Sequence, residues 1–148
     1  MTGDLMHHLV RTAVLSADPD AVWRTIGRFG GLADWHPQVP PSVIEGDVDP
    51  EVPGATRAFI HDGTVVARER LLAKDDATRS YRYTVLDPFL PLTHYEATLT
   101  AVPHAQGTEV RWAATYEGAA EVVAQVEAAF GDAVYAVGLG ALATRFAA

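Results

Sequence analysis

The chain has 148 residues, enough to bury the core of one ordinary domain and too few to suggest two, so residues 1–148 are read as a single domain. Hydrophobic residues at 49% and charged residues at 20% argue against a disordered chain, and the formal net charge of -8 disfavours attraction to nucleic acid or anionic lipid. With no cysteine, disulfides, thiolate metal sites and a cysteine nucleophile are excluded. No apolar run approaches a membrane span, and Met1 to Val10 lacks a signal pattern, so the expectation is a cytoplasmic protein without membrane insertion.

His7 to Ser16, rich in Val, Leu and Thr, reads as a first strand. Asp18-Pro19 then opens a helix, Asp18 capping free N–H groups and Pro19 fitting the first helical position. Val22, Ile26 and Phe29 form its apolar face, Gly30-Gly31 should end it, and Leu32 to Trp35 adds one short turn of helix. Five prolines make residues 36–54 irregular, with a weak strand over Ser42 to Val48. An antiparallel meander follows: Thr56 to His61, Val65 to Lys74 after the Asp62-Gly63 turn, Arg79 to Leu86, Leu92 to Val102 and Thr108 to Glu117. Val122, Val126, Phe130, Val134, Val137 and Ala141 recur at helical spacing, so Ala119 to Arg145 should form one long amphipathic helix. Inside it Gly131, Gly138 and Gly140 each cost roughly 1 kcal/mol relative to Ala; a close approach, a kink or simple tolerance would each account for them.

Strand alternation sorts side chains without further assumption. Val65, Ala67, Glu69, Leu71 and Ala73 share one face, and the opposite face carries Arg68, Arg70 and Lys74, which solvent should take. Glu69 is then the lone charge on the inward face of its strand. Tyr81, Tyr83, Tyr95, Trp112 and Tyr116 also point inward, giving an aromatic wall with phenolic hydroxyls. A buried carboxylate needs a cation, hydrogen-bond donors or a proton, and Arg57 is the nearest cation in a hairpin register. A two-residue loop at Asp62-Gly63 would set Arg57 against Arg68; a three-residue loop including Thr64 would set it against Glu69, and the second is preferred because juxtaposed arginines repel. His36 sits in a Pro-bounded loop and is the better functional histidine; no pair of histidines has metal-site spacing, so no metal is expected. Phosphate-binding glycine loops and a G-x-S-x-G nucleophile elbow are missing.

The run Ala17-Asp18-Pro19-Asp20-Ala21-Val22-Trp23, with Ile26, Phe29 and Trp35-His36-Pro37, resembles the opening of the START/Bet v 1-like superfamily, in its bacterial polyketide cyclase/dehydrase-type branch. Pro53-Gly54-Ala55-Thr56-Arg57, Glu69-Arg70-Leu71, Tyr81-Arg82-Tyr83, Leu90-Pro91 and Gly107-Thr108-Glu109-Val110-Arg111-Trp112 continue the likeness over nearly the whole chain. The resemblance implies an α+β helix-grip fold, a curved antiparallel sheet around the C-terminal helix with a cavity between them. It also favours the register that pairs Arg57 with Glu69.

Two functions follow as expectations. One is a cofactor-independent cyclase or dehydratase acting on a polyketide-like or aromatic molecule, with Glu69 as acid/base, Arg57 supporting an oxyanion and His36 as a further catalytic group. The other is a non-catalytic carrier of a hydrophobic metabolite or lipid, using the same cavity. In both, the residues expected against the ligand are Trp35, Phe59, Tyr81, Tyr83, Tyr95, Trp112, Phe130 and Val134. The partner is a small hydrophobic or aromatic molecule, and the chain is a monomer or homodimer.

Overall fold

A computed structural model describes residues 5–147. Seven strands form one antiparallel sheet in the order β1-β7-β6-β5-β4-β3-β2: β1 (Leu5–Leu15), β2 (Ser42–Ile44), β3 (Thr56–His61), β4 (Thr64–Asp75), β5 (Ser80–Leu86), β6 (Leu92–His104) and β7 (Gly107–Gly118). The meander read from the turn residues is thus present, with β1 returning to pair with β7 and the short β2 closing the other edge onto β3. The sheet is not closed into a barrel. Two short helices, α1 (Pro19–Ile26) and the 3₁₀ helix α2 (Phe29–Asp34), follow β1, and a long helix, α3 (Val122–Arg145), ends the chain. This is the α+β helix-grip architecture.

The Asp18 carboxylate accepts from Ala21 N–H at 3.0 Å, so the predicted cap holds α1 at its start. Its end differs: α1 stops at Gly27, and Gly30-Gly31 lie inside α2 instead of terminating α1. Val22, Ile26 and Phe29 are buried as expected, sealing one end of the sheet with Leu15 and Tyr81. The weak strand expected over Ser42 to Val48 is reduced to three residues.

The hairpin between β3 and β4 corrects one prediction while keeping its outcome. Asp62 and Gly63 form a two-residue loop, His61 facing Thr64, with φ of 50° and 75° as a type I′ turn requires. The register shifts one residue further on, between Phe59 and Ile60, where Val66 is the extra residue of a β-bulge. That bulge, and not a longer loop, brings Arg57 opposite Glu69.

Helix α3 also departs from uniform α-helical periodicity. Between the α-helical ends Val122–Val126 and Val137–Arg145, residues Glu127–Ala136 are π-helical. The buried positions run Val126, Gly131, Tyr135, Leu139 and Leu142, with a step of five after Val126 where the sequence pattern predicts four. Phe130 and Val134 are therefore only partly buried, turned from the core toward the open space beneath the sheet. Gly131 and Gly138 mark close approaches: a Cβ at Gly131 would lie 2.5 Å from Arg11 Nη2, and one at Gly138 2.6 Å from His36 Cδ2. Gly140 has open space around it. By length and composition α3, at 24 residues, meets the criterion for a membrane span, against the expectation that no stretch does; one side of it is buried on the sheet.

Candidate functional site

A cavity of about 210 Å³ lies between the concave face of the sheet and the π-helical part of α3. The sheet contributes Phe59, Ala67, Glu69, Tyr83, Tyr95 and Trp112, the helix Ala129, Phe130, Val134 and Tyr135. The mouth is edged by Gln38, Val39 and Pro40 of the irregular connection, Val66 of the bulge, and Phe89 of the β5–β6 loop, whose ring is 73% exposed. The lining is overwhelmingly apolar, and alternation along β4, β5, β6 and β7 is what turns these side chains inward.

Glu69 is the single ionisable carboxylate among the described lining residues. Its side chain is 15% exposed, and its Oε1 receives Arg57 Nε at 2.9 Å and lies 2.7 Å from Arg57 Nη2. Arg57 is fully buried behind it. Its Nη1 donates to the Phe29 carbonyl at 2.8 Å and to the Tyr81 hydroxyl at 3.3 Å, and its guanidinium lies 4.2 Å from the Phe29 ring centroid and 4.8 Å from that of Tyr83. Nη2, although close to Oε1, lacks a well-directed hydrogen bond. Burial raises the Glu69 pKa above its ordinary value, and Arg57 opposes that rise without cancelling it. For Arg57 burial acts to lower the pKa, but Tyr81, Glu69 and Tyr83 around it outweigh burial and raise it, so the guanidinium stays charged.

The phenols form a second polar group. Tyr83 accepts from Trp112 Nε1–H at 3.0 Å, and the hydroxyls of Tyr95 and Tyr135 are hydrogen-bonded to each other. Burial pushes the pKa of Tyr83, Tyr95 and Tyr135 well up, so all three remain protonated at neutral pH. The Tyr135 ring stacks on Trp112 at 4.5 Å, which locks the phenol against the sheet.

Of the residues expected against a ligand, Phe59, Tyr83, Tyr95, Trp112, Phe130 and Val134 line the cavity together with Glu69. Tyr81 and Trp35 do not. Tyr81 lies a layer deeper, bonded to Arg57, and Trp35 packs on Trp112 at 5.7 Å. Arg57 reaches the cavity only through Glu69. His36 is buried away from the lining: its Nδ1 accepts from Gln38 N–H at 3.1 Å, so Nε2 carries the proton and donates to the Val134 carbonyl at 2.7 Å. Burial lowers its pKa, in keeping with a neutral ring that pins the mouth loop to α3. Tyr135 escaped the sequence reading because helical spacing of four points at Val134; its adjacent polar phenol among Ala and Val was the available signal.

A helix-grip sheet around a largely apolar pocket defines the class, a START/Bet v 1-like domain. The chain belongs to the family described as polyketide cyclase / dehydrase and lipid transport, whose model matches residues 6–147. A protein of Thermobifida fusca solved in solution is similar at 37% identity, with a TM-score of 0.87 over 94% of this chain and 92% of that one. A Bacillus thuringiensis protein is 25% identical with a TM-score of 0.73, covering 95% of this chain and 98% of its own. Norcoclaurine synthase of Thalictrum flavum shares the fold at 18% identity and a TM-score of 0.73, over 97% of this chain and 87% of its own. A sequence search of curated proteins finds no match.

Proposed function

We propose that the cavity holds a small aromatic or polyketide-like molecule and that Glu69 moves its protons, closing a ring or expelling water without a cofactor. The observation that carries this reading is a carboxylate of raised pKa, held by Arg57 on one oxygen only, at the wall of an aromatic pocket. A carboxylate whose pKa is lifted toward neutrality is a stronger base than an exposed one and, once protonated, a competent acid. It can take a proton from a carbon flanked by carbonyls, leaving an enolate that attacks a ketone carbon of the same molecule. The resulting alkoxide takes the proton back. A second proton taken by Glu69 and returned to the new hydroxyl lets it leave as water.

Norcoclaurine synthase, which shares the fold, has been solved in complex with dopamine and hydroxybenzaldehyde, two small aromatic molecules. That precedent supports the size and chemistry of ligand proposed here. Arg57, bonded to Glu69, Phe29 and Tyr81, acts as a positioning group for the carboxylate; His36 is given a structural part in holding the mouth. We place the protein in the cytoplasm, as a monomer or homodimer.

Glu69→Gln keeps size and hydrogen bonding but removes the charge. With a substrate identified by native mass spectrometry of gently purified protein, turnover should fall roughly 10²-fold or more. The wild-type pH profile should show an acid limb above the ordinary carboxylate value of 4.5 that the variant lacks. Full turnover in a folded Glu69→Gln protein would leave the carrier reading, in which the same pocket only transports its ligand.

A further inference from the structure

The Tyr95–Tyr135 pair is a second polar station in the cavity, provided by β6 and α3 and distinct from the Glu69–Arg57 pair on β4 and β3. Both phenols line the cavity, and they are 3% and 1% exposed. Each hydroxyl has one proton to give. When one phenol donates to the other, the proton of the acceptor is left over, and among the described residues neither hydroxyl has another hydrogen-bond partner. A buried donor without an acceptor is costly, and the acceptor it lacks must come from whatever fills the cavity.

The charges around the cavity narrow that acceptor. Arg57 is already paired with Glu69, and no cation is among the described lining residues, so the charge of an anionic ligand would be buried beside the pair without a cation of its own. A volume of about 210 Å³ also lies below the range of about 300–1,000 Å³ that accommodates drug-sized molecules. We propose that the Tyr95–Tyr135 pair receives the carbonyl oxygen of a neutral aromatic ketone or polyketone of one or two rings, orienting it and stabilising the enolate oxygen as Glu69 takes the neighbouring proton. This rests on the cavity reading above and names the substrate class for it. An enolate oxygen accepts more strongly than a ketone oxygen, so the pair binds the reacting state better than the ground state.

The test uses 4-methoxyacetophenone and 4-ethylanisole, which differ in the carbonyl oxygen, titrated into the whole chain while the indole N–H resonance of Trp112 is followed by two-dimensional NMR. The ketone should bind the wild type roughly tenfold more tightly. In the double variant Tyr95→Phe/Tyr135→Phe that preference should vanish while 4-ethylanisole binds as before. Replacing both hydroxyls of a buried pair leaves no orphaned group, so the double variant should keep the fold, which circular dichroism checks. If that variant nevertheless unfolds, the wild-type ratio and a Tyr135→Phe single variant, expected to weaken the ketone selectively, decide the matter. Equal wild-type affinities, or a preference that survives loss of both hydroxyls, would overturn the carbonyl station and leave the cavity reading standing. Binding of neither probe would overturn both.

Discussion

Arg57 holds its charge in the interior by spending every side of the guanidinium: carboxylate, carbonyl, phenol and three further aromatic rings surround it. Glu69, opposite it, needs Arg57 more than the reverse, because burial already raises the carboxyl pKa. Arg57→Met should therefore cost roughly 3 kcal/mol of unfolding free energy at neutral pH, near the lower end for a broken buried pair because Glu69 is 15% exposed. The sign of the pH effect follows from the raised folded pKa. Stability is complete below the ordinary value of 4.5 and is lost as pH rises through the folded pKa, so the penalty of Arg57→Met should be smaller at pH 4.5 than at pH 8. Urea titrations at the two pH values measure this; an equal penalty at both would mean that the carboxylate finds other compensation. Glu69 was legible in the sequence because it is the lone charge on one face of an alternating strand. Its pairing with Arg57 was reached by preferring a longer loop, whereas the bulge at Val66 makes the shift, because a bulge is a property of the pair of strands and not of the turn between them.

Helix α3 joins α-helical ends through a π-helical middle, and its glycines separate the effects of space and propensity. At Gly140 nothing lies near a new Cβ, so Gly140→Ala should stabilise by about 0.5–1 kcal/mol through backbone entropy. At Gly138 the same methyl would press on the His36 ring and on Trp112 Cζ3 at 3.1 Å. Gly138→Ala should destabilise by roughly 1–3 kcal/mol, and by displacing His36 it should loosen the contact between the mouth loop and the Val134 carbonyl. Chemical denaturation of the two variants side by side tests the contrast, and stabilisation by Gly138→Ala would remove the packing argument. The sequence pattern located this helix, placed Val122 and Val126 on its buried side and set Phe130 and Val134 toward the ligand, as the structure has them, but it missed the deeper burial of Gly131 and Tyr135. A fixed step of four points to Phe130 and Val134, and the π segment instead sends Gly131 and Tyr135 to the core while the former pair borders the cavity.

Across the whole molecule the cavity is a packing defect retained at the centre of the grip, so filling it should cost function and not stability. Ala129→Trp, placed on the cavity side of α3, should keep the fold and abolish the stabilisation by 4-methoxyacetophenone. In the wild type that stabilisation should approach about 2.7 kcal/mol at a ligand concentration of a hundred Kd, read as a shift in denaturant midpoint. An unchanged shift in the variant would place the ligand elsewhere. The sequence by itself determined the order of elements, the Asp18 cap, the Asp62-Gly63 turn and the buried faces of β5, β6 and β7, because these depend on relations between residues a few positions apart. On β4 strict alternation failed: register shifts at Val66 and Leu72 leave Val65 exposed, set Ala73 opposite outward Arg82, and turn Lys74, expected in solvent, inward opposite Tyr81. The tertiary structure decided the bulge at Val66, the π-helical stretch of α3, the burial of Tyr135 and the seat of His36 against Val134. Each of these settles how two segments pack against each other, and the physical reason is that close packing between them, not local propensity, selects among backbone forms that differ little in local energy.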